Sequence, residues 1–344
     1  MPSLNPIRVA VIGAGSFGRN HLRVYRELQA SGAVTLAAAV DSNPAVTAAI
    51  AAEYGIPVFN TIDEFLAAGL GVTAVSLCVP TVHHSRIGCQ LLAAGLDLLV
   101  EKPIASSLAE ADALIAAAAA HGRILQVGHL ERFNPAVTAA LPLLHRPMFF
   151  EAHRLSIFTP RSLDVDVVLD LMIHDLDIVL SFVPSEVVEI RAVGLPVLSP
   201  KTDIANVRLE FANGCVANFT ASRVSTERVR KLRFFQPQQY FSIDFAHREL
   251  LFIDVSGSSS LTPAQLAALA AAPGQHPSVG LALSKVPVEA REPLMLEIES
   301  FVNCVRTRTA PRVTGNAARA ALAIAFQINA AIAAHVAKTG IAHS

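Results

Sequence analysis

The 344-residue sequence predicts an α/β protein of two domains, a helix-covered parallel sheet followed by an antiparallel sheet. A short apolar strand at the start of the chain runs directly into a glycine motif, which is typical of a βα unit. Strands and helices then alternate up to about residue 128, a rhythm that favours a parallel sheet covered on both faces. Beyond residue 145 strands follow one another, which favours antiparallel pairing. We therefore place the domains at residues 1–128 and 129–344.

The glycine motif consists of Gly13, Gly15 and Gly18 in the spacing G-x-G-x-x-G, between a strand at 9–12 and a helix at about 17–29. The first glycine permits a tight turn, the second lets a backbone approach a pyrophosphate, and the third lets the helix pack on the strand. The N-terminus of the helix adds unpaired N–H groups that suit an anion. These features predict a Rossmann domain that binds a dinucleotide.

The second strand, at residues 34–40, ends in Asp41, which lies 23 positions after Gly18. That spacing is close to the ~20 residues expected for the carboxylate that holds the ribose hydroxyls of the adenosine. A carboxylate at this position would repel a 2′-phosphate, and no arginine follows it directly. We therefore expect NAD as the cofactor in preference to NADP.

Polar residues follow the remaining strands of the first domain, which we place at 58–59, 74–79, 97–100 and 124–128. Helices at 44–54, 62–68, 83–94 and 107–121 separate them. Because dinucleotides bind beyond the carboxyl ends of parallel strands, we expect these polar residues at one site. The expected cofactor contacts are Gly13, Gly15, Ser16, Phe17, Gly18, Asp41, Ser42, Val79, Pro80, His84, Glu101 and Lys102.

Composition and charge exclude several classes of protein. Hydrophobic residues make up 52% of the chain and charged residues 16%, so general disorder is not expected. The net charge of −1 gives no general attraction to nucleic acid or to anionic membranes. The four cysteines include no C-x-x-C pair, which favours free thiols in a reducing cytoplasm over a disulfide framework or a zinc site. We expect a cytoplasmic protein with no nucleic-acid or membrane partner.

The strands of the second domain are placed at 149–156, 186–193, 204–211, 216–222, 231–235, 239–244 and 249–254. Several of them alternate apolar and polar residues, and Asn213-Gly214 between two of them is a hairpin signal. Helices are expected within 164–182, at 294–306 and at 316–337, the last one buried because it is apolar all round. Residues 256–293 are rich in Ser, Pro, Gly and Ala, and we expect a loop there with one short helix at 263–271.

Three features together resemble one family: the N-terminal glycine motif, Glu101-Lys102-Pro103 after a later strand, and a helix with Asp170-x-x-x-His174-Asp175. In these the chain is similar to the glucose–fructose oxidoreductase/inositol dehydrogenase family (Gfo/Idh/MocA). The resemblance implies a Rossmann domain followed by an α/β domain with a large, mostly antiparallel sheet. It also implies a nicotinamide cofactor, a sugar or polyol substrate, and homodimers or homotetramers built through the open sheet face.

Residues 127–135 (VGHLERFNP) and 166–177 (DVVLDLMIHDLD) resemble the branch of this family that oxidises C3 of UDP-N-acetylglucosamine. In that branch the 3-keto sugar passes to an aminotransferase, which yields 3-amino sugars for lipid A or surface polysaccharide. A diphosphate needs cations, and Arg154 is one candidate for that contact. The substrate contacts that we expect are His129, Arg132, Asn134, Arg161 and His174.

The catalytic residues that we expect are Lys102, Asp170 and His174. Oxidation of a secondary alcohol needs a nicotinamide and a group that takes the hydroxyl proton. Asp170 and His174 stand four apart, so on a helix they share a face, where the carboxylate can orient the imidazole. We favour His174 as the general base and Lys102 as its polarising partner, with Lys102 as the base left open. Asp175 and Asp177 turn away from that face, and hydride transfer needs no metal, so we expect no metal site.

Two other functions stay open at this point. An inositol-type polyol or free-sugar dehydrogenase would share the fold and the catalytic residues, but its uncharged substrate would not require the arginines between 132 and 161. A non-catalytic dinucleotide-binding regulator would have no need of Lys102, Asp170 and His174. Turnover separates the two cases, because a regulator would bind NADH and reduce nothing.

Overall fold

The computed structural model of the chain describes residues 6–159, 165–254 and 282–339. The chain divides into two compact units, the first formed by residues 1–133 and 291–323 and the second by 134–290 and 324–344. The boundary between the units lies at Phe133 and Asn134, and a C-terminal segment belongs to the first unit.

The first unit contains a six-stranded sheet in which every neighbouring pair of strands is parallel. Its strands are β1 (Ile7–Ile12), β2 (Val34–Val40), β3 (Val58–Phe59), β4 (Ala74–Leu77), β5 (Asp97–Glu101) and β6 (Leu125–Gly128). Their order is β3-β2-β1-β4-β5-β6, so the order reverses between β1 and β4. Ligands of such sheets bind at this reversal, beyond the carboxyl ends of the strands. The predicted Rossmann sheet is confirmed.

Five α-helices lie between these strands, and side chains at their N-termini explain where three of them begin. The helices are α1 (Ser16–Ala30), α2 (Pro44–Tyr54), α3 (Ile62–Ala67), α4 (His84–Ala93) and α5 (Leu108–Ala120). Asn43 caps α2 by accepting the N–H of Ala45, and Thr61 and Glu64 form a capping box at α3. Ser107 caps α5. The helices therefore start within two residues of the predicted positions.

The second unit contains an eight-stranded sheet that is antiparallel except at one pair. Its strands are β7 (Phe149–Leu155), β8 (Val187–Leu195), β9 (Ile204–Phe211), β10 (Val216–Ser222), β11 (Val229–Gln236), β12 (Gln239–Asp244), β13 (Glu249–Asp254) and β14 (Ala282–Val286). The order is β14-β13-β12-β11-β7-β10-β9-β8, and β7 pairs with β10 in parallel. The predicted large, mostly antiparallel sheet is confirmed.

One face of this sheet forms the core of the second unit, together with the helices α6 (Pro135–Ala140) and α7 (Ile173–Phe182). Phe234 stands at its centre, with ring centroids 5.4 Å from Phe150 and 4.4 Å from Phe241. The other face carries a second aromatic row, in which Phe235 lies 5.7 Å from Phe149 and 5.0 Å from Tyr240. Phe235 is exposed, so this face stays open within the second unit.

Two predictions for the second unit are corrected. The helix predicted within 164–182 begins as a π-helical turn at Val168–Met172, and only α7 is regular. A π turn accommodates one extra residue per turn, which a spacing pattern does not reveal. The strand β14 lies inside the stretch 256–293 that was predicted as a loop, and it pairs with β13. The short helix predicted at 263–271 falls outside the described residues.

Two helices close the described chain, α8 (Pro293–Thr307) and α9 (Gly315–Thr339). Among the described residues, α9 alone is long and apolar enough to cross a membrane by length and composition. It was predicted to be buried all round, but it buries one face and leaves mostly small alanines on the other. The buried positions follow helical spacing and are Ala318, Ala321, Leu322, Ala325, Ile328 and Ile332. That pattern is the one expected of a helix packed on a protein core.

Candidate active site

A cavity of about 600 Å³ opens at the carboxyl ends of β1, β2 and β4 in the first unit. This is the edge at which the strand order reverses, and therefore the place where a dinucleotide is expected. The residues that line it are Ile12, Gly13, Gly15, Val40, Asp41, Ser42, Asn60, Thr61, Ile62, Asp63, Cys78, Val79, Pro80, His83, Arg86, Ile87 and Gln90.

The three glycines of the motif meet different surroundings. Gly13 has a φ of +89°, and a Cβ there would lie 2.8 Å from backbone atoms of Cys78 and Val79. A Cβ at Gly18 would lie 1.8 Å from the carbonyl oxygen of Gly13. A Cβ at Gly15 would meet nothing within 4 Å, and Gly15 lines the cavity. The packing of the chain thus requires glycine at positions 13 and 18. At position 15 the absence of a side chain lets a pyrophosphate approach the backbone closely.

The charges around the loop also suit a dinucleotide. Gly15 is the N-cap of α1, and the first turn of that helix contains no acidic residue, so its positive end can face an anion. Asp41 Oδ2 accepts the N–H of Ala14 at 2.8 Å, and its Oδ1 accepts the N–H of Asn43 at 2.9 Å. These bonds hold the carboxylate at the cavity wall, where it can accept ribose hydroxyls. The residues present therefore fit NAD.

The expected cofactor contacts divide into two groups. Six of them line the cavity: Gly13, Gly15, Asp41, Ser42, Val79 and Pro80. The other six are outside its lining: Ser16, Phe17, Gly18, His84, Glu101 and Lys102. Residues 60–63 and α4 form a wall of the cavity that was not predicted, because the two-residue strand β3 gives little signal at its end. The sequence signal for this wall is its position directly after the end of a strand.

His84 was expected to contact the cofactor, but in the structure both of its ring nitrogens face the protein backbone. Its side chain is 1% exposed, and both ring nitrogens face backbone carbonyl oxygens. Nδ1 lies 3.0 Å from the oxygen of Pro103, and Nε2 lies 2.9 Å from the oxygen of Val79. Burial lowers the pKa of His84 below its ordinary value. The ring therefore joins two backbone segments and offers no free nitrogen to a ligand.

Lys102 follows the last residue of β5, and its peptide bond to Pro103 is cis. The preceding residue, Glu101, places its carboxylate against β6, since a Cβ at Gly128 would lie 2.6 Å from Glu101 Oε1. The same oxygen lies 3.1 Å from Nε2 of the buried His21 in α1. Glu101 therefore faces the protein interior, and Lys102 is the neighbouring residue.

A group of possible metal ligands, His21, Cys78 and Glu101, lies in this region with its ligand atoms within 4.8 Å of one another. Burial, together with Glu101 and Glu297, raises the pKa of the Cys78 thiol well above its ordinary value. A metal binds the thiolate, so metal binding here would have to offset the cost of ionising this buried thiol. We propose that this group holds no metal.

The arginine expected at the end of β6 has a partner that the sequence analysis missed. Arg132 Nη2 lies 3.5 Å from the carbonyl oxygen of Arg312, and Arg312 Nη1 donates to the carbonyl oxygen of Arg132 at 3.0 Å. Burial and the positive charge of Arg132 lower the pKa of Arg312. The two guanidinium groups therefore lie close to each other. Residue 312 lies far along the chain, and no spacing pattern connects it with residue 132.

The second unit carries Asp170 in the π-helical turn and His174 in α7, both half-buried. Asp166 holds the start of the turn, where its Oδ1 accepts the N–H groups of Val168 and Leu169 at 2.9 and 3.0 Å. Single π turns inside helices are frequent at functional sites. Asp170 and His174 do not lie on one regular helix as predicted, because Asp170 belongs to the π turn.

Two expected substrate contacts of the second unit have structural roles instead. Arg154 is buried and donates to both oxygens of Asp175, at 2.8 and 2.9 Å, with its guanidinium 5.1 Å from the ring centre of Phe245. Asn134 is 1% exposed, accepts the N–H of Ala136 as the N-cap of α6, and donates to the carbonyl oxygen of Phe245. These bonds stabilise the second unit. Arg161 lies outside the described residues.

Two models of protein families match the chain. One is described as an oxidoreductase family with an NAD-binding Rossmann fold and matches residues 7–129. The other is described as the GFO/IDH/MocA C-terminal domain and matches residues 145–240.

Individual proteins are similar over nearly the whole chain. The UDP-N-acetylglucosamine 3-dehydrogenase of Acidithiobacillus ferrooxidans is 36% identical over 95% of this chain and 98% of that protein. A solved structure of that name from the same organism has a TM-score of 0.84 at 34% identity, and it covers 96% of this chain and 99% of that one. The scyllo-inositol 2-dehydrogenase (NAD(+)) of Bacillus subtilis is 23% identical over 90% of this chain and 89% of that protein.

Proposed function

The chain belongs to the Gfo/Idh/MocA family of NAD-binding oxidoreductases, and on that premise we propose that it oxidises C3 of UDP-N-acetylglucosamine to the 3-keto sugar. The observation that carries this substrate is the 36% identity to a UDP-N-acetylglucosamine 3-dehydrogenase, spread over 329 residues. The inositol dehydrogenases are less similar, at 23% over nearly the full length or at most 30% over about half of this chain. NAD is the cofactor, as predicted.

We assign the proton chemistry to three side chains. His174 is the proposed general base that takes the proton of the sugar hydroxyl, and Asp170 orients and stabilises its protonated imidazole. Lys102 polarises the hydroxyl by hydrogen bonding, and it is the alternative base. Bound NAD supplies the acceptor for the hydride. All three side chains are present and half-buried, which leaves part of each accessible to a substrate.

The diphosphate of the substrate requires cations, and Arg132 is the proposed contact, with Arg312 beside it. Each guanidinium can bind a phosphate through two N–H groups. Binding of an anion would also relieve the repulsion between the two like charges. His129 and Arg161 complete the proposed substrate contacts.

The test is a turnover assay with NAD and four substrates: UDP-N-acetylglucosamine, UDP-glucose, myo-inositol and glucose. NADH formation is followed by absorbance, with a ketone trap or a glutamate-dependent aminotransferase present because ketone formation can be unfavourable at equilibrium. We expect turnover with UDP-N-acetylglucosamine. Turnover with inositol or glucose alone would contradict the nucleotide-sugar substrate, and NADH binding without turnover of any compound would favour a regulator.

We also propose a cytoplasmic homodimer or homotetramer that associates through the open face of the eight-stranded sheet, and an aminotransferase that consumes its product. The exposed Phe235 beside Phe149 and Tyr240 supports the sheet face as the contact surface, because large exposed apolar patches mark interfaces. Analytical ultracentrifugation of Phe235→Glu should show a smaller species than the wild type. Val197→Glu, an exposed position outside the strands, is the control.

A further inference from the structure

Lys102 stands between two residues that buried histidines hold in place. On its N-terminal side, Glu101 Oε1 lies 3.1 Å from Nε2 of His21, whose side chain is completely buried. On its C-terminal side, the carbonyl oxygen of Pro103 lies 3.0 Å from Nδ1 of His84. The side chain before Lys102 therefore contacts α1, and the backbone after it contacts α4, the helices that contain these histidines.

The contact between His21 and Glu101 fixes the direction of the Glu101 side chain. An ionised carboxylate only accepts hydrogen bonds, so Nε2 of His21 carries the hydrogen. The carboxylate also packs on Gly128, where any Cβ would lie 2.6 Å from Glu101 Oε1. Anchoring Glu101 toward α1 therefore fixes the residue that directly precedes Lys102, at the end of β5.

His84 links the same segment to the cofactor cavity. Its second nitrogen lies 2.9 Å from the carbonyl oxygen of Val79, and Val79 lines the cavity. Carbonyl oxygens only accept hydrogen bonds, so the neutral ring donates to one of these two oxygens, and it donates to both only when it is protonated. One imidazole therefore lies between a wall of the cavity and the residue after Lys102.

We propose that His21 and His84 are positioning residues, which set the place of the Lys102 amine relative to the cofactor by holding Glu101 and Pro103. This inference rests on the proposed function, in which Lys102 acts on the substrate hydroxyl. The two histidines act only through their neighbours, and neither contacts the substrate. A small displacement of a catalytic group lowers turnover strongly, so these bonds contribute to the rate.

Substitution of His84 by asparagine or by glutamine removes one of its two contacts and keeps the other. The amide nitrogen of asparagine takes the place of Nδ1, and that of glutamine takes the place of Nε2. His84→Asn therefore keeps a donor toward Pro103, and His84→Gln keeps one toward Val79. Each variant buries one amide oxygen, so their general cost to the fold is matched.

We expect opposite effects from the two variants. His84→Gln should lower kcat by about 10- to 100-fold with little change in the Kd of NAD, because the bond to Pro103 is lost. His84→Asn should change kcat by less than ~3-fold and weaken NAD instead, because the bond to Val79 is lost. Equal losses of kcat in both folded variants would show a structural role only and would overturn the proposal.

His21 provides a second, independent pair. His21→Gln keeps a donor toward Glu101, whereas His21→Asn does not, so kcat should fall in the asparagine variant alone. If the His84 variants fail to fold, the His21 variants still test whether a buried histidine positions Lys102. His84→Gln and His21→Asn are also made in a Lys102→Ala background. A positioning effect on kcat should disappear there, because the Lys102 amine is absent. A full additional loss of kcat in that background would contradict action through Lys102.

A readout without substrate separates this inference from the proposed function. Acetylation of Lys102 by a small reagent, measured by mass spectrometry against the exposed Lys201, should change in His84→Gln and remain as in the wild type in His84→Asn. Absence of turnover in the wild type would reject the proposed substrate, and the labelling result would still decide the placement of Lys102. Unchanged labelling in all four variants would reject the positioning role.

Discussion

The carboxyl group of Glu297 in α8 should hold a proton in the folded protein at neutral pH. Its side chain is fully buried, and neither of its oxygens has a hydrogen-bond partner within the part of the chain that the structure describes. Burial, and then the negative charge of Glu101, raise the pKa of Glu297 well above its ordinary value. Replacement by the isosteric, uncharged glutamine should therefore stabilise the fold at neutral pH.

The direction and the slope of the pH dependence of stability follow from proton binding. The unfolded chain releases this proton near the ordinary value of 4.5, whereas the folded chain keeps it. The contribution of Glu297 to the free energy of unfolding is therefore largest below that pH and is lost as the pH rises toward the folded-state pKa. In this window the loss is ~1.4 kcal/mol for each pH unit. Glu297→Gln lacks this term, so its advantage over the wild type should grow by the same amount.

The assay is urea unfolding of both proteins at a series of pH values from about 5 to 8, followed by circular dichroism. Because the chain has two compact units, hydrogen exchange of amides in the first unit is measured alongside, and it reports on the unit that contains Glu297. The control is Glu299→Gln on the same helix, where the carboxylate pairs with Arg291 at the surface. A difference between Glu297→Gln and wild type that does not change with pH would refute the reasoning.

Three further predictions concern the site and the core. Lys102→Ala should lower turnover by ~10²-fold while NAD binding, measured by fluorescence titration, stays unchanged; an unchanged rate would remove Lys102 from the mechanism. Asp41→Ala should weaken NAD by about tenfold or more and NADP much less, and equal weakening of both would contradict the ribose contact. Arg154→Met should cost about 3–5 kcal/mol of unfolding free energy, because it removes the guanidinium that pairs with the buried Asp175 carboxylate. Addition of Asp175→Leu should recover most of that loss in thermal or urea unfolding, whereas no recovery would contradict a buried ion pair.

The sequence was sufficient for the features that depend on neighbours along the chain. The parallel sheet of the first unit follows from apolar strands that alternate with helices, and the starts of α2, α3 and α5 follow from Asn43, Thr61 and Ser107 as caps. Gly13 and Gly15 line the cavity and Gly18 packs on Gly13, so each glycine of the motif has a separate local reason.

The sequence was insufficient where contacts join distant residues. The parallel pairing of β7 with β10 depends on the order of the strands in the whole sheet, and neither strand encodes it alone. Arg154 is a candidate for the diphosphate contact by sequence, but in the structure it is buried and pairs with Asp175 from another element. The π-helical turn that carries Asp170 also escapes a pattern based on regular helical spacing.

The strand ends of the first unit show why residue type alone does not assign a site. Asp41, His84 and Glu101 are all polar residues at one sheet edge, and by sequence each could contact the cofactor. In the structure Asp41 lies on the cavity wall, whereas His84 bonds backbone carbonyls and Glu101 pairs with a buried histidine. A polar side chain that is buried at such an edge forms its hydrogen bonds with other groups of the protein. We infer that its influence on a reaction is then exerted through the half-buried residue next to Glu101, which is Lys102.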